Sequence, residues 1–319
     1  MNTKRLESVE EAAEILRRGG LVAFPTETVF GLGVDATNER AVRRLFEAKG
    51  RPSDNPLIVH LAQKNDWPLA AREVTPAAGP LLARFAPGPL TVVLPKRDEI
   101  SQLVTAGLDT VGVRAPDHPT AHAILLGAGL PIAAPSANRS GRPSCTTWRS
   151  VLQDLDGRID AVFCEDAVGC GIESTVVDCT GSAPTVLRPG GVTVEQIAAV
   201  LPHVDDPTRT APQPDARVRS PGLAHPHYQP RARVVLVDSP EKAAGEAVAY
   251  CGIGAAPPIG ANVVHNATFA DVQQYAAAFY EFLREADRRG ADTIFVQRAP
   301  HRGIGHALGD RQRRAAGEV

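Results

Sequence analysis

The chain has 319 residues, 43% of them hydrophobic but only 5% aromatic, and its 34 basic and 36 acidic side chains leave a formal charge of −2. This length suits two domains whose cores are filled by Val, Leu, Ala and Ile. The near-balance of charge argues against a protein that wraps nucleic acid by bulk electrostatics, because such surfaces are strongly basic. Five cysteines, at Cys145, Cys164, Cys170, Cys179 and Cys251, are odd in number and contain no C-x-x-C pair. Reduced, mostly buried thiols are therefore expected, not a disulfide framework or a zinc knuckle. The polar, acidic start has no signal-peptide run, and no stretch approaches the ~18 apolar residues of a membrane span. The expectation is a soluble, cytoplasmic protein with no membrane contact.

Along the chain, Val9, Ala12, Ala13 and Leu16 have helical spacing over residues 6–18, and Gly19 and Gly20 stop the run. Residues 21–24 form a short apolar run ended by Pro25, which predicts a strand. Residues 41–48 and 81–85 read as helices. Strands are predicted over 57–61, 91–94, 111–113, 131–134, 161–164 and 175–177, and this mixture indicates an α/β domain spanning residues 1–201.

Residues 202–231 then hold seven prolines and almost no apolar periodicity. Proline fixes φ and removes a donor, so the segment reads as a stiff linker. Such a segment, with His225, His227 and Tyr228, can lie over a cavity as a lid. Beyond it, residues 232–319 predict a small α/β (Rossmann-like) domain. It has strands over 234–237 and 293–296, a helix marked by Phe269, Val272, Ala276, Phe279 and Leu283, and a last helix over 304–315.

No P-loop, G-x-G-x-x-G, H-E-x-x-H or G-x-S-x-G signature is present. His118 and His122 have i, i+4 spacing, but nothing completes a metal site, so a surface or capping role is expected. Three clusters carry chemistry. In the first, a strand runs into Thr26-Glu27-Thr28 and then Gly31 and Gly33, where hydroxyls and a carboxylate can hold a polar head and glycines allow close approach. A polar turn is the bland alternative. The second places Lys49 and Arg51 two residues apart, which in an extended segment face one side and suit a polyphosphate. A solvated basic loop is its alternative. The third follows the strand at 131–134 with Pro135-Ser136-Ala137-Asn138 and the neighbouring Ser140 and Ser144, donors of short reach. Arg114 and Arg188 end strands, where α/β sheets often bind ligands, and Glu173-Ser174-Thr175 adds hydroxyls.

Taken together, these segments resemble the YrdC-like family, and within it the long two-domain threonylcarbamoyl-AMP synthases. Residues 19–28, Lys49-Gly50-Arg51-Pro52 with Asn55-Pro56-Leu57, Pro87-Gly88-Pro89-Leu90-Thr91, Pro135-Ser136-Ala137-Asn138 and Glu173-Ser174-Thr175 carry the match, in order, from about residue 18 to 200. Ser220-Pro221-Gly222, followed by His227-Tyr228 and Pro230, resembles the long form's linker.

The resemblance implies a twisted mixed sheet with surrounding helices and a large basic cavity. It implies that L-threonine and bicarbonate form a carbamate, which attacks the α-phosphorus of ATP and releases pyrophosphate. Mg²⁺ would arrive with the ATP. A separate tRNA threonylcarbamoyl transferase complex would consume the product, and direct tRNA binding is left open. Carried over by motif, threonine meets Thr28, His60, Arg114, Ala134 and Ser174. ATP meets Arg51, Asn55, Thr110, Ser136, Ser144, Arg188 and Tyr228. Lys49, Arg51, Ser136 and Asn138 form the basic catalytic core. Phe30 stands where the family usually has Tyr, so a hydroxyl near the cavity mouth is missing.

Two rival readings remain. An RNA-binding module could use the basic cavity, although balanced charge and the lack of aromatic interleaving disfavour it. A carbamoyl-transfer domain of hydrogenase-maturation type would bring Cys-rich zinc motifs and an acylphosphatase-like segment, and neither is present.

Overall fold

The structure, a computed structural model, describes residues 2–166, 169–209, 227–243, 245–254, 256 and 263–318. The first domain runs β1 (Lys4–Leu6), α1 (Val9–Arg17), β2 (Val22–Phe24), β3 (Gly31–Asp35), α2 (Glu39–Lys49), β4 (Ile58–His60), α3 (Ala78–Phe85), β5 (Leu90–Pro95), β6 (Thr110–Arg114), α4 (Pro119–Ala128), β7 (Ile132–Ala133), α5 (Trp148–Leu155), β8 (Ala161–Phe163), β9 (Thr175–Asp178), β10 (Thr185–Arg188) and α6 (Val194–Ala198). Its strands form one sheet in the order β1-β8-β2-β3-β7-β4-β6-β5-β9-β10. The pairing is mixed: β4 and β6 are parallel, as are β5 and β9, whereas β5 and β6 are antiparallel.

Alternation along the strands divides the core between the two faces of this sheet. Val22 and Phe24 of β2 join Leu16 of α1 and Ile124 and Leu125 of α4 on one face. Ala23, between them, joins Val42 and Leu45 of α2 and Val151 of α5 on the other. Ser8 caps α1 by accepting from the Glu11 N–H at 3.2 Å, and Asn38 caps α2 by accepting from Ala41 at 3.1 Å. Gly50 ends α2 in the left-handed region at φ 61°.

The second domain contains β11 (Arg233–Val237), β12 (Val248–Ile253), β13 (Val263–Phe269), α7 (Val272–Arg288), β14 (Thr293–Gln297) and α8 (Ile304–Ala316). Its sheet, ordered β11-β14-β12-β13, is parallel throughout. Phe269 ends β13 and does not start the helix; its ring stacks on Tyr275 at 5.2 Å. The core of this domain reaches across to the first, taking in Val29 and Ile172 beside Tyr275, Phe279 and Tyr280.

Among the described residues no helix is long and apolar enough to cross a membrane. All five cysteines are free thiols. His118 is the buried N-cap residue of α4, without a side-chain capping bond, and His122 is exposed, in keeping with a surface or capping role for the pair. Of the expected lid, residues 210–226 lie outside the described residues.

Candidate active site

At one edge of the large sheet β4, β6 and β10 end while β5 and β9 begin. His60 and Arg114 are the last residues of parallel neighbours and sit in register. Thr91 and Ser174 stand at the same edge, with their hydroxyls 2.8 Å apart. Loops after β2 and β7 and the end of α2 close over this edge. They form a cavity with Lys49, Arg51, Arg114 and Arg188 among its walls.

Arg114 is nearly fully buried. Its Nη2 lies 2.7 Å from the Glu27 carboxylate, its Nη1 donates to Thr28 Oγ1 at 3.0 Å, and its Nε donates to the Gly88 carbonyl at 3.2 Å. Thr28 Oγ1 also lies 2.8 Å from Thr26 Oγ1. A cation fixed on three sides beside aligned hydroxyls is built to receive a small carboxylate. Burial, reinforced by Arg114, pushes the His60 imidazole down to about 3, so it is neutral at ordinary pH.

Arg188 donates to the Ser174 carbonyl at 2.9 Å and to its hydroxyl at 3.2 Å. Arg51 spends Nε and Nη2 on the carbonyls of Asn55 and Pro56, at 3.2 and 3.0 Å. Lys49 ends a helix and does not lie in an extended segment, so the i, i+2 argument for Lys49 and Arg51 does not describe how they meet. The left-handed turn at Gly50 brings both into the cavity. Lys49 Nζ donates to the backbone carbonyls of Ser136 and Asn138, which fixes the loop after β7. Burial and then Arg51 hold the Lys49 amine down to about 7. Ser136 Oγ donates to Asn138 Oδ1 at 2.6 Å, and Asn138 Nδ2 holds the Arg139 and Arg142 carbonyls at 2.8 and 2.9 Å.

Of the residues expected at the site, the cavity is lined by Thr28, Lys49, Arg51, His60, Arg114, Ala134, Ser136, Asn138, Ser174, Arg188 and Tyr228. Three others are not brought to its wall. Thr110 starts β6, at the end opposite Arg114. Asn55 is fully buried, with Nδ2 3.4 Å from His227 Nε2. Ser144 is fully buried and donates to Glu173 at 2.7 Å. Phe30 is buried and also lines this cavity, so the hydroxyl that the family's usual Tyr would bring is missing from its wall. The cavity also takes in Thr26, Ser140 and Glu173. Glu173 receives a salt bridge from Arg311 of α8 at 2.8 Å and a hydrogen bond from Tyr280 of α7 at 2.9 Å. Burial opposes its charge, but Arg311 and Arg188 hold it down to about 2. Local sequence carries no signal for that pairing, because Arg311 reads as one of several basic residues on a last helix.

Two family profiles match the chain. The one described as telomere recombination, Sua5–YciO–YrdC, covers residues 14–190, and the one described as threonylcarbamoyl-AMP synthase, C-terminal domain, covers 192–317. The threonylcarbamoyl-AMP synthase of Bacillus subtilis is 42% identical over 97% of this chain and 93% of its own. The chain belongs to the threonylcarbamoyl-AMP synthase family. Its member from Pyrococcus abyssi is 38% identical over 98% of this chain. The structure of P. abyssi Sua5, solved in complex with L-threonine, superposes with a TM-score of 0.89 at 37% identity, covering 99% of this chain and 97% of that one. A family member from Vibrio cholerae is 36% identical and matches 49% of this chain but 85% of its own length. The fold is thus the YrdC-like α/β domain joined to the second domain of the long form.

Proposed function

We propose that this protein is a nucleotidyltransferase that joins L-threonine, bicarbonate and ATP into L-threonylcarbamoyladenylate and releases pyrophosphate. One observation carries the reading. A single cavity presents both the Arg114–Thr28 pair, suited to an amino-acid carboxylate, and the Lys49, Arg51 and Arg188 cations, suited to a triphosphate. Family membership supports the same reaction, and so does the threonine complex of the P. abyssi protein.

In this reading Arg114, Thr28 and Ser174 hold the threonine carboxylate, with His60 and Ala134 against the rest of the molecule. The threonine amine forms an N–C bond to the carbon of bicarbonate, with loss of water. An oxygen of the resulting carbamate then forms a P–O bond to the α-phosphorus, and the bond to the pyrophosphate oxygen breaks. No covalent enzyme intermediate is required. Charge accumulates on phosphate oxygens, where fixed cations act without reorganising. In this reading Arg51, Lys49, Arg188 and the Ser136–Asn138 loop, all lining the cavity, do that work, and Tyr228 would lie against the nucleotide.

Mg²⁺ enters as part of the ATP. The carboxylates nearest the cavity are already committed, Glu27 to Arg114 and Glu173 to Arg311. Among the described residues no group of three or more His, Cys, Asp or Glu is arranged to hold a metal. The donors present suit phosphate oxygens, so the cation would sit on the phosphates. The adenylate would pass in the cytoplasm to a tRNA threonylcarbamoyl transferase complex. The RNA-module alternative is disfavoured by placement, since Lys49, Arg114 and Arg188 are buried around a cavity and do not spread over a face.

Incubation with ATP, Mg²⁺, bicarbonate and threonine, followed by mass spectrometry, tests the proposal. A species with the mass of threonylcarbamoyl-AMP is expected. ADP as the only nucleotide product would refute it.

A further inference from the structure

The second domain sends two deeply buried arginines into the first. Arg311 has no exposed surface. Its Nε meets Glu173 Oε2 at 2.8 Å, its Nη1 meets Asp310 at 2.6 Å, and its Nη2 donates to the Pro189 carbonyl at 2.9 Å. Arg284 of α7 pairs with the buried Asp154 at 2.8 Å and donates to the Pro143 and Ser144 carbonyls. These contacts hold two segments of the cavity wall from behind. One is Glu173-Ser174. The other is the loop that presents Asn138 and Ser140 to the cavity and runs on behind it to Ser144, which Asp154 also fixes by accepting from the Arg139 N–H at 3.1 Å. The Tyr228 ring, itself in the wall, packs on Tyr280 at 5.2 Å and under the Arg311 guanidinium at 5.7 Å.

Glu173 is the point where the two domains meet chemically. Around it stand Arg311 and Tyr280 from the second domain, Ser144 and Arg188 from the first, and Tyr228 between them. A buried carboxylate stays ionised only where cations and donors outweigh lost hydration. Without Arg311 its direct donors would be two neutral hydroxyls. Ionised, it would then set a negative charge that Arg188 offsets only in part beside the bound triphosphate. Protonated, it would lose the acceptor geometry that Ser144 and Tyr280 meet.

We infer that Arg311 and Tyr280 are positioning residues for the adenylation reaction: the second domain completes the site by fixing Glu173 and, through it, Ser144 and Ser174. The inference rests on the proposed function, and the second domain is on this account part of the enzyme's working site.

The test compares Arg311→Met, Tyr280→Phe and the double variant Arg311→Met/Glu173→Gln with the unsubstituted full-length protein. Pyrophosphate release is followed from about pH 5.5 to 9, ATP affinity by calorimetry, and folding by thermal melts. Arg311→Met should lose roughly tenfold or more in kcat near neutral pH. Its pH profile should gain a descending limb as Glu173 ionises within the assay range, and Glu173→Gln should remove that limb. Tyr280→Phe should keep its melting temperature within ~2 °C yet lose about threefold or more in kcat or ATP affinity. If Arg311→Met does not fold, Tyr280→Phe carries the test alone.

Wild-type kcat, KM and pH profile in the folded variants, with loss confined to melting temperature, would overturn the inference. If the unsubstituted protein releases no pyrophosphate, it is the proposed function that fails. ATP affinity then judges the positioning role, and unchanged affinity in the variants would overturn that too.

Discussion

The guanidinium of Arg114 bridges the Glu27 carboxylate, 2.7 Å away, and the Thr28 hydroxyl, 3.0 Å away, in the wall of the cavity. Glu27 holds the cation and Thr28 shares in presenting it. Arg114→Met should therefore raise the KM for threonine by on the order of ten- to a hundredfold, as expected for a lost charge-assisted contact, while the KM for ATP changes less. Glu27→Gln should act in the same direction but more weakly. Steady-state kinetics with each substrate varied in turn checks this, and equal losses toward both substrates would assign Arg114 to general architecture.

Lys49 links charge to ligand binding. Burial and Arg51 hold its amine down to about 7. A triphosphate nearby favours the charged form and raises that value. ATP binding near pH ~8 should therefore take up a fraction of a proton, roughly half per site. Calorimetry in buffers of different ionisation enthalpy measures it directly. Lys49→Met should abolish the uptake, and its absence from the unsubstituted protein would mean that the two carbonyls already keep the amine charged.

Acid should destabilise the fold through buried histidines. His60 and His227 are both held to about 3 against an ordinary 6.5, by burial first and then by Arg114 and Arg51 respectively. Below 6.5 the unfolded chain binds protons that the folded chain does not, so their stability contribution is complete above 6.5 and declines as pH falls toward 3. Glu173, held to about 2 from 4.5, acts only at lower pH and does not mask this window. The melting temperature should fall by several degrees between about pH 7.5 and 5.5. His60→Asn should lessen that fall, and a flat profile would contradict the neutral, buried assignment.

Gly171 sits at φ +66°, and a Cβ there would lie 2.4 Å from the backbone of Ala277 in α7. Gly171→Ala should cost about 2 kcal/mol or more, since strain and clash coincide where the domains touch. Denaturant unfolding measures this. A cost near zero would mean that α7 and the Gly171 turn separate without penalty.

Much of the site was legible in the sequence because its donors cluster in short runs at strand ends, as in Thr26-Glu27-Thr28 and Ser136-Ala137-Asn138. What escaped depends on distance along the chain. Glu173 and Arg311 are separated by 138 residues, and neither segment has a pattern that names the other. Gly252 interrupts the apolar run of β12, and Asn266 and Thr268 dilute that of β13, so neither strand was expected. Lys49 and Arg51 were brought together in the sequence by an extended-strand geometry. The helix end and the left-handed Gly50 reach the same meeting by another route.

The central claim is that carbamate formation precedes attack on ATP, so the most direct measurement is pyrophosphate release with each substrate omitted in turn. The account predicts rapid release only when ATP, threonine and bicarbonate are all present, with AMP-bearing product in equal amount. Release that persists at full rate without threonine or without bicarbonate would contradict it.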